Sequence, residues 1–335
     1  MKIQATIFAV LFLTVILSSC NGVKNPGSKP QSPLDSLSAL IRENPDKPEL
    51  YMKRAALYEK KQHYNEAIVD VQKAVQLDNK NYDNFLKLAD LFLATNQIQS
   101  CINTLNAVLA NDPKNVKANL KMAELNLMFK RYTHTIKSAN KALETDPYNA
   151  RAFFIKAYAL KEYGDTSKAI RNYMEAVKNN PDYYEAYVEL GNLFRAKKDP
   201  VAEKYYQNAI EIKPENTDAY YNLGIYYQQN DMLNKAQDAY KKIIEINPEY
   251  PYSYFNIGYI LLEISRTPDE AAPYFAKAIK QKPDYYEAHF NLGLCFEEMG
   301  DLIKARECYT NALKYNNNYP KAIKGLNRID ELEKR

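Results

Sequence analysis

Proline recurs along this chain at a fixed interval. Pro113, Pro147 and Pro181 are spaced 34 residues apart, Pro214 follows after 33, Pro248 after 34 and Pro283 after 35. Counting back by 34 from Pro113 reaches Asn79 and then Pro45, and counting forward from Pro283 reaches Asn317. A fixed period in this range implies a solenoid, in which each unit contacts only its neighbours. A solenoid presents a long surface for holding something else, which favours binding over catalysis.

With the proline column set at position 32 of a 34-residue unit, further columns align. Position 4 is large and mostly aromatic, as in Tyr51, Phe85, Phe153, Tyr187, Tyr220 and Tyr254. Position 8 is small: Ala55, Ala89, Ala123 and Ala157, then Gly191, Gly224, Gly258 and Gly293. Position 20 is small again (Ala67, Cys101, Ala169, Ala202, Ala236, Ala271, Ala305), position 24 is aromatic in the later units (Tyr173, Tyr206, Tyr240, Phe275, Tyr309), and position 27 is mostly alanine. Positions 4, 7, 8 and 11 share one face of a helix, and 20, 24 and 27 share one face of the next. Small residues at 8 and 20 let two antiparallel helices approach, aromatics fill the space between hairpins, and the proline ends the second helix. The 9 glycines are few, which suits a helical chain.

These columns resemble the tetratricopeptide repeat family. The resemblance implies an all-α fold, a right-handed superhelical solenoid of about eight helix-turn-helix repeats spanning residues 48–317. The third unit departs most, with Asn119, Asn126 and Thr135 at positions 4, 11 and 20. The fifth unit has lost one residue in its inner turn, where Asp199-Pro200 reads as N-cap and first helical turn. The seventh has gained one, with Thr267-Pro268 restarting the helix and Pro273 bending it a turn further in. Capping helices are expected at both ends: residues 34–47, with Leu34, Leu37, Leu40 and Ile41 on one side, and residues 318–335, with Ile323, Leu326 and Ile329 inward.

The N-terminus reads as a targeting segment. Lys2 precedes an apolar run from Ala5 to Leu17 that is too short to span a bilayer and ends in Leu17-Ser18-Ser19-Cys20. This tetrapeptide resembles the bacterial lipobox. The resemblance implies a signal peptide over 1–19 and a lipidated Cys20, where several acyl chains contribute ~0.8 kcal/mol per buried methylene. It also implies an outer-membrane location facing the periplasm, because Asn21 rather than an aspartate follows the cysteine and no acidic residue occurs before Asp35. Residues 20–33 are rich in Gly, Pro and Ser and read as a flexible tether.

Function is expected on the face of the first helices opposite positions 4, 7, 8 and 11. Position 6 on that face reads Lys53, Lys87, Lys121, Ile155, Glu189, Asn222, Asn256, Asn291. Asn222, Asn256 and Asn291 form an amide ladder that can pair with an extended peptide backbone, with Tyr252 and Tyr259 beside it. The alternative is that asparagine is simply common at this position in the family. Lys53, Lys87 and Lys121 could hold an acidic segment, or pair within their own helices with residues such as Asp90 and Glu124, which is the blander reading. Cys101 sits in a small-residue column and reads as packing, while a disulfide between Cys295 and Cys308 is left open.

His63, His134 and His289 are scattered without metal spacing, and no phosphate-binding glycine loop occurs, so no enzyme, metal or cofactor is expected. The net charge of +4 gives no basis for nucleic-acid binding. The expected function is a membrane-anchored interaction scaffold whose partners are other envelope proteins, with self-association left open. The alternative is a glycan- or other ligand-binding lipoprotein, which the near absence of insertions between repeats disfavours.

Overall fold

The computed structural model describes residues 32–334. The signal segment and Cys20 lie outside the described residues. The described chain is all-α, with 18 α-helices and one short π-helical segment. α1 (Pro33–Glu43) precedes eight hairpins. Their first helices are α2 (Pro48–Lys60), α4 (Tyr82–Ala94), α6 (Val116–Met128), α8 (Ala150–Glu162), α10 (Tyr184–Ala196), α12 (Thr217–Gln229), α14 (Pro251–Tyr259) and α16 (Tyr286–Glu298). Their second helices are α3 (Tyr64–Leu77), α5 (Ile98–Asn111), α7 (Tyr132–Thr145), α9 (Thr166–Asn179), α11 (Val201–Ile212), α13 (Leu233–Ile246), α15 (Pro268–Gln281) and α17 (Leu302–Tyr315). α18 (Pro320–Glu333) closes the series. From α1 to α4, and again from α6 to α18, each helix packs chiefly on the one before and the one after, as a stack of sequential hairpins requires. Contacts group the chain into two compact units, up to Thr104 and from Leu105 onward.

In the unit up to Thr104, the side chain that fixes the packing is Arg54. Its Nε and Nη2 donate to Asp70 Oδ2 and Oδ1, each at 2.7 Å, and its Nη1 donates to Ser38 Oγ at 3.1 Å. One guanidinium thereby joins α1, α2 and α3, and Asp70 is 2% exposed. Ile41 of α1 is buried against Tyr51 and Ala74, whereas Leu40 is exposed.

In the unit from Leu105, the core is a column of position-24 rings. Tyr173, Tyr206, Tyr240, Phe275 and Tyr309 are fully buried, with alanines of positions 20 and 27 around them. Glycine at position 8 makes room for four of these rings, whereas the fourth hairpin holds Ala157 in one cluster with Tyr173. A Cβ on Gly191 would lie 2.5 Å from Tyr206, on Gly224 2.5 Å from Tyr240, and on Gly293 2.6 Å from Tyr309. Aromatics at position 5 bridge this column to the residue that closes each unit: Phe154 contacts Tyr173 and stacks on Tyr183, and Phe290 contacts Tyr309 and Tyr319.

The hydroxyls of the column are treated unequally. Tyr206 donates to Asn192 Oδ1 at 2.9 Å, Tyr240 to Gln228 Oε1 at 3.2 Å, and Tyr309 to Glu297. The Tyr173 hydroxyl is buried without a partner, and burial raises its pKa above the ordinary tyrosine value. A buried hydroxyl with no partner carries a desolvation cost of roughly 1–3 kcal/mol. Tyr173→Phe is therefore expected to leave stability unchanged or raise it by about 1 kcal/mol. Tyr206→Phe, which removes a bonded hydroxyl, is expected to lower it by about as much. Chemical denaturation of the two variants checks the contrast in sign.

Every hairpin turn contains one left-handed residue. It is glycine only at Gly164 and Gly300; the others are Gln62, Asn96, Lys130, Lys198, Asp231 and Arg266, with φ between 56 and 62°. The following amide closes the turn onto a carbonyl five residues back, as Asp165 N does on Leu160 O at 2.8 Å. In the fifth hairpin Asp199 Oδ1 accepts from Val201 N at 3.0 Å and caps the shortened α11. In the seventh, the additional residue is absorbed at the end of the first helix. Ile260–Ser265 forms a π-helical turn, and Thr267 N reaches six residues back to Leu261 O at 3.0 Å. α15 then begins at Pro268 and continues through Pro273 to Gln281.

The irregular third hairpin keeps its packing by substitution of function. Asn119 Nδ2 donates to the Pro113 carbonyl at 3.0 Å, the bond that Tyr254 makes to Pro248 at 3.1 Å. His289 Nε2 lies 2.9 Å from the Pro283 carbonyl oxygen, an acceptor, so that nitrogen carries the proton. On α18 the buried residues are Ala322, Gly325 and Ile329, with Leu326 packed beside them and Ile323 42% exposed. The expectation of an inward Ile323 is corrected: a Cβ on Gly325 would lie 2.6 Å from Tyr309, and this close approach rotates Ile323 outward.

Candidate functional site

The first helices lie closer to one another than the second helices do. α6 meets α8, α10 meets α12 and α16 meets α18, whereas second helices meet chiefly their first-helix neighbours. Within the unit from Leu105 the first-helix face is therefore the inner side of the stack. Positions 2, 6, 9 and 13 fall within about 60° of one another on it at 100° per residue, opposite the buried positions 4, 7, 8 and 11.

Asn222, Asn256 and Asn291 lie on this face in three consecutive hairpins, and two of their amides are already engaged. Asn222 Nδ2 donates to Asp218 O at 2.9 Å and Asn291 Nδ2 to Glu287 O at 2.8 Å. Asn256 lies beside the Tyr240 hydroxyl of the preceding repeat and moderates the rise that burial imposes on its pKa. Asn291 is only 7% exposed. With one donor engaged, Asn222 and Asn291 offer a partner mainly their acceptor oxygens.

Tyr252 and Tyr259 belong to a continuous aromatic run. Tyr250, Tyr252 and Tyr285 follow one another at 5.6 and 5.5 Å between ring centroids, and Tyr259 stacks on Phe255 at 6.4 Å. Lys282 Nζ lies 5.2 Å over Tyr252 and 5.0 Å over Tyr285 and donates to the Tyr252 hydroxyl at 3.2 Å. That bond, ahead of the opposing desolvation, raises the Lys282 pKa. Tyr259 is 36% exposed and is the ring most available from outside.

The three lysines are not brought together as one site. Lys53 is exposed on α2. Lys87 pairs with Glu59 of the preceding repeat at 2.5 Å. Lys121 stands on α6 in the other compact unit, where the neighbouring Glu124 pairs with Arg151 at 2.5 Å. The same crossing from one first helix to the next recurs between Lys161 and Glu189 at 3.1 Å.

Among the described residues Cys101, Cys295 and Cys308 form no disulfide, and all three are buried. Burial pushes the Cys295 thiol up to about 12 and the Cys308 thiol up to about 11, which leaves both as unreactive thiols at neutral pH.

The sequence reading missed four carboxylates on this face: Asp218, Glu263, Glu287 and Glu298, at positions 2 and 13 of α12, α14 with its π turn, and α16. Ile225 and Leu294 at position 9 were missed as well. The signal was present in the composition of single helices. The segments 217–229, 251–265 and 286–298 contain five acidic residues and no lysine or arginine.

Sequential helical hairpins with a polar and aromatic inner face define a helical-repeat binding protein. Family models described as tetratricopeptide repeat match residues 58–125, 150–183, 217–250, 239–271 and 286–319, and one described as TPR repeat matches 202–231. The chain belongs to the tetratricopeptide repeat family, and it is an interaction scaffold for protein or peptide partners. The fold is similar to that of the C-terminal part of a TPR repeat-containing protein from Cytophaga hutchinsonii, with a TM-score of 0.63 and 22% identity over 72% of this chain and 99% of that one. It is also similar to a tetratricopeptide repeat protein from Parabacteroides merdae, with a TM-score of 0.52 and 15% identity over 74% of this chain and 98% of that one. A stretch of 77 residues is 32% identical to the UDP-N-acetylglucosamine--peptide N-acetylglucosaminyltransferase of Giardia intestinalis. The match covers 23% of this chain and 5% of the length of that relative.

Proposed function

We propose that this protein is a lipid-anchored scaffold of the bacterial cell envelope that holds an extended segment of a partner protein on the inner face of its first helices. The observation that carries the binding part is the row of acceptor amides and tyrosines on that face, Asn222, Asn256, Tyr252 and Tyr259, in consecutive repeats. Amide oxygens at a regular rise suit backbone N–H groups of an extended chain, and tyrosines suit an interface that is apolar in body and polar at the tip. The anchoring part is supported by Leu17-Ser18-Ser19-Cys20 behind a short apolar core. The role is holding rather than chemistry: His289 is committed to the Pro283 carbonyl, and the cysteines are buried thiols.

Two measurements test this. Growth with an alkyne-bearing fatty acid is expected to label the wild type, and Cys20→Ser is expected to abolish labelling and release the protein from the membrane fraction. Unchanged labelling in the variant ends the anchoring claim. Crosslinking in cells is expected to recover defined envelope proteins, with recovery lost in Tyr252→Ala/Tyr259→Ala. Recovery of a defined polysaccharide and no protein would favour the glycan-binding alternative.

A further inference from the structure

The last three first helices and their partner helices divide charge between them. α12, α14 with the π turn, and α16 carry five acidic residues and no lysine or arginine, while α13, α15 and α17 behind them carry eight lysines and arginines against five acids. Of the five acids, Glu297 is already bonded by Arg328 at 2.7 Å and by the Tyr309 hydroxyl. Among the described residues, Asp218, Glu263, Glu287 and Glu298 form no ion pair, though Lys282 lies near enough to Glu287 to feel its charge. Asp218 and Glu298 are exposed, and Glu263 and Glu287 are half-buried. Between the four carboxylates stand Tyr252 and Tyr259. Arg266 is the nearest basic residue in sequence, at the hairpin tip just past the π turn.

We propose that this face takes a lysine- or arginine-bearing extended segment of a partner protein. The inference rests on the reading that the first-helix face is the binding surface. The carboxylates meet the cationic heads, and the tyrosine rings take the aliphatic stems. The protein's own Lys282 shows the fit, with its ammonium over the Tyr252 and Tyr285 rings and bonded to a tyrosine hydroxyl. The asparagine oxygens add acceptors to the same row. An acidic segment would meet four carboxylates of its own sign.

The test uses the full chain in detergent and three fluorescein-labelled decapeptides. All share one Tyr/Leu framework and carry four lysines, four glutamines or four glutamates. Fluorescence anisotropy is expected to rank lysine above glutamine above glutamate, with the lysine peptide losing affinity as salt is raised from about 50 to about 300 mM. The variant Asp218→Asn/Glu263→Gln/Glu287→Gln/Glu298→Gln is expected to bind the lysine peptide about tenfold more weakly at unchanged melting temperature. Equal binding of the lysine and glutamine peptides, or an unaltered affinity in the variant, overturns the cationic inference. If Tyr259→Ala still weakens binding in that case, the face remains the binding surface. If no peptide binds, or none responds to Tyr259→Ala, the face reading fails as well.

Discussion

Asp70→Ala is expected to lower the stability of the unit up to Thr104 by about 3 kcal/mol. The size follows from what the change leaves behind. Arg54 is held by two bonds of 2.7 Å to a carboxylate that is almost fully buried, and its own side chain is 20% exposed. Removing the carboxylate strands a largely desolvated guanidinium between α1, α2 and α3. Ser38 supplies one bond to it but no charge. Hydrogen exchange is expected to accelerate in α1, α2 and α3 and to stay unchanged in α16 and α17, because each repeat interacts with its neighbours only. The double variant Arg54→Met/Asp70→Leu is expected to recover most of the loss, since an apolar pair of similar volume leaves no unpaired charge. A single variant that unfolds at the wild-type denaturant concentration would show the clasp to be dispensable.

Gly224→Ala is expected to cost about 2 kcal/mol, although alanine is intrinsically the better helix former by about 1 kcal/mol. The new Cβ would lie 2.5 Å from Cε1 and 2.8 Å from Cζ of Tyr240, a ring with no exposed surface and a hydroxyl tied to Gln228. That ring has nowhere to move without displacing Ile243 and Ile257 of the same cluster. The penalty is expected to vanish, and the helix gain to emerge, when Gly224→Ala is made in a Tyr240→Leu background. The chain already carries a version of this exchange, with Ala55 at position 8 and Val71 at position 24 in its first repeat. Calorimetry on the single, the background and the combined variants gives the coupling directly. A stabilising Gly224→Ala in the wild-type background would contradict the close contact.

The repeat period was legible because each column answers to one packing requirement. Proline stops a helix, glycine makes room for a ring, and the ring fills the hairpin. What stayed hidden had two causes. Some requirements are met by residues that do not advertise them. The left-handed turn position is held by Gln62, Lys130 and Lys198 as well as by glycine, and Asn119 and His289 make the carbonyl bond of a tyrosine. The additional residue of the seventh repeat could have lengthened a loop, and only the backbone bonding reveals a π turn instead. Other features depend on what a side chain has already bonded. The asparagine ladder was readable as a column, but not that Asn222 and Asn291 donate to their own helices. The acids of the late first helices were in plain sight and became meaningful only when grouped by helix rather than by column.

Position 6 of one repeat meets side chains of the repeat before it. Glu189 meets Lys161, and Gly325 of the closing helix lies against Tyr309. The grain of this surface is thus the junction, not the repeat. Exchanging one hairpin for another alters two junctions at once, and a hairpin moved to a different place in the chain carries only half of each with it. Recognition properties of such an array are written in overlapping pairs, so a surface built from n hairpins offers n − 1 independent words.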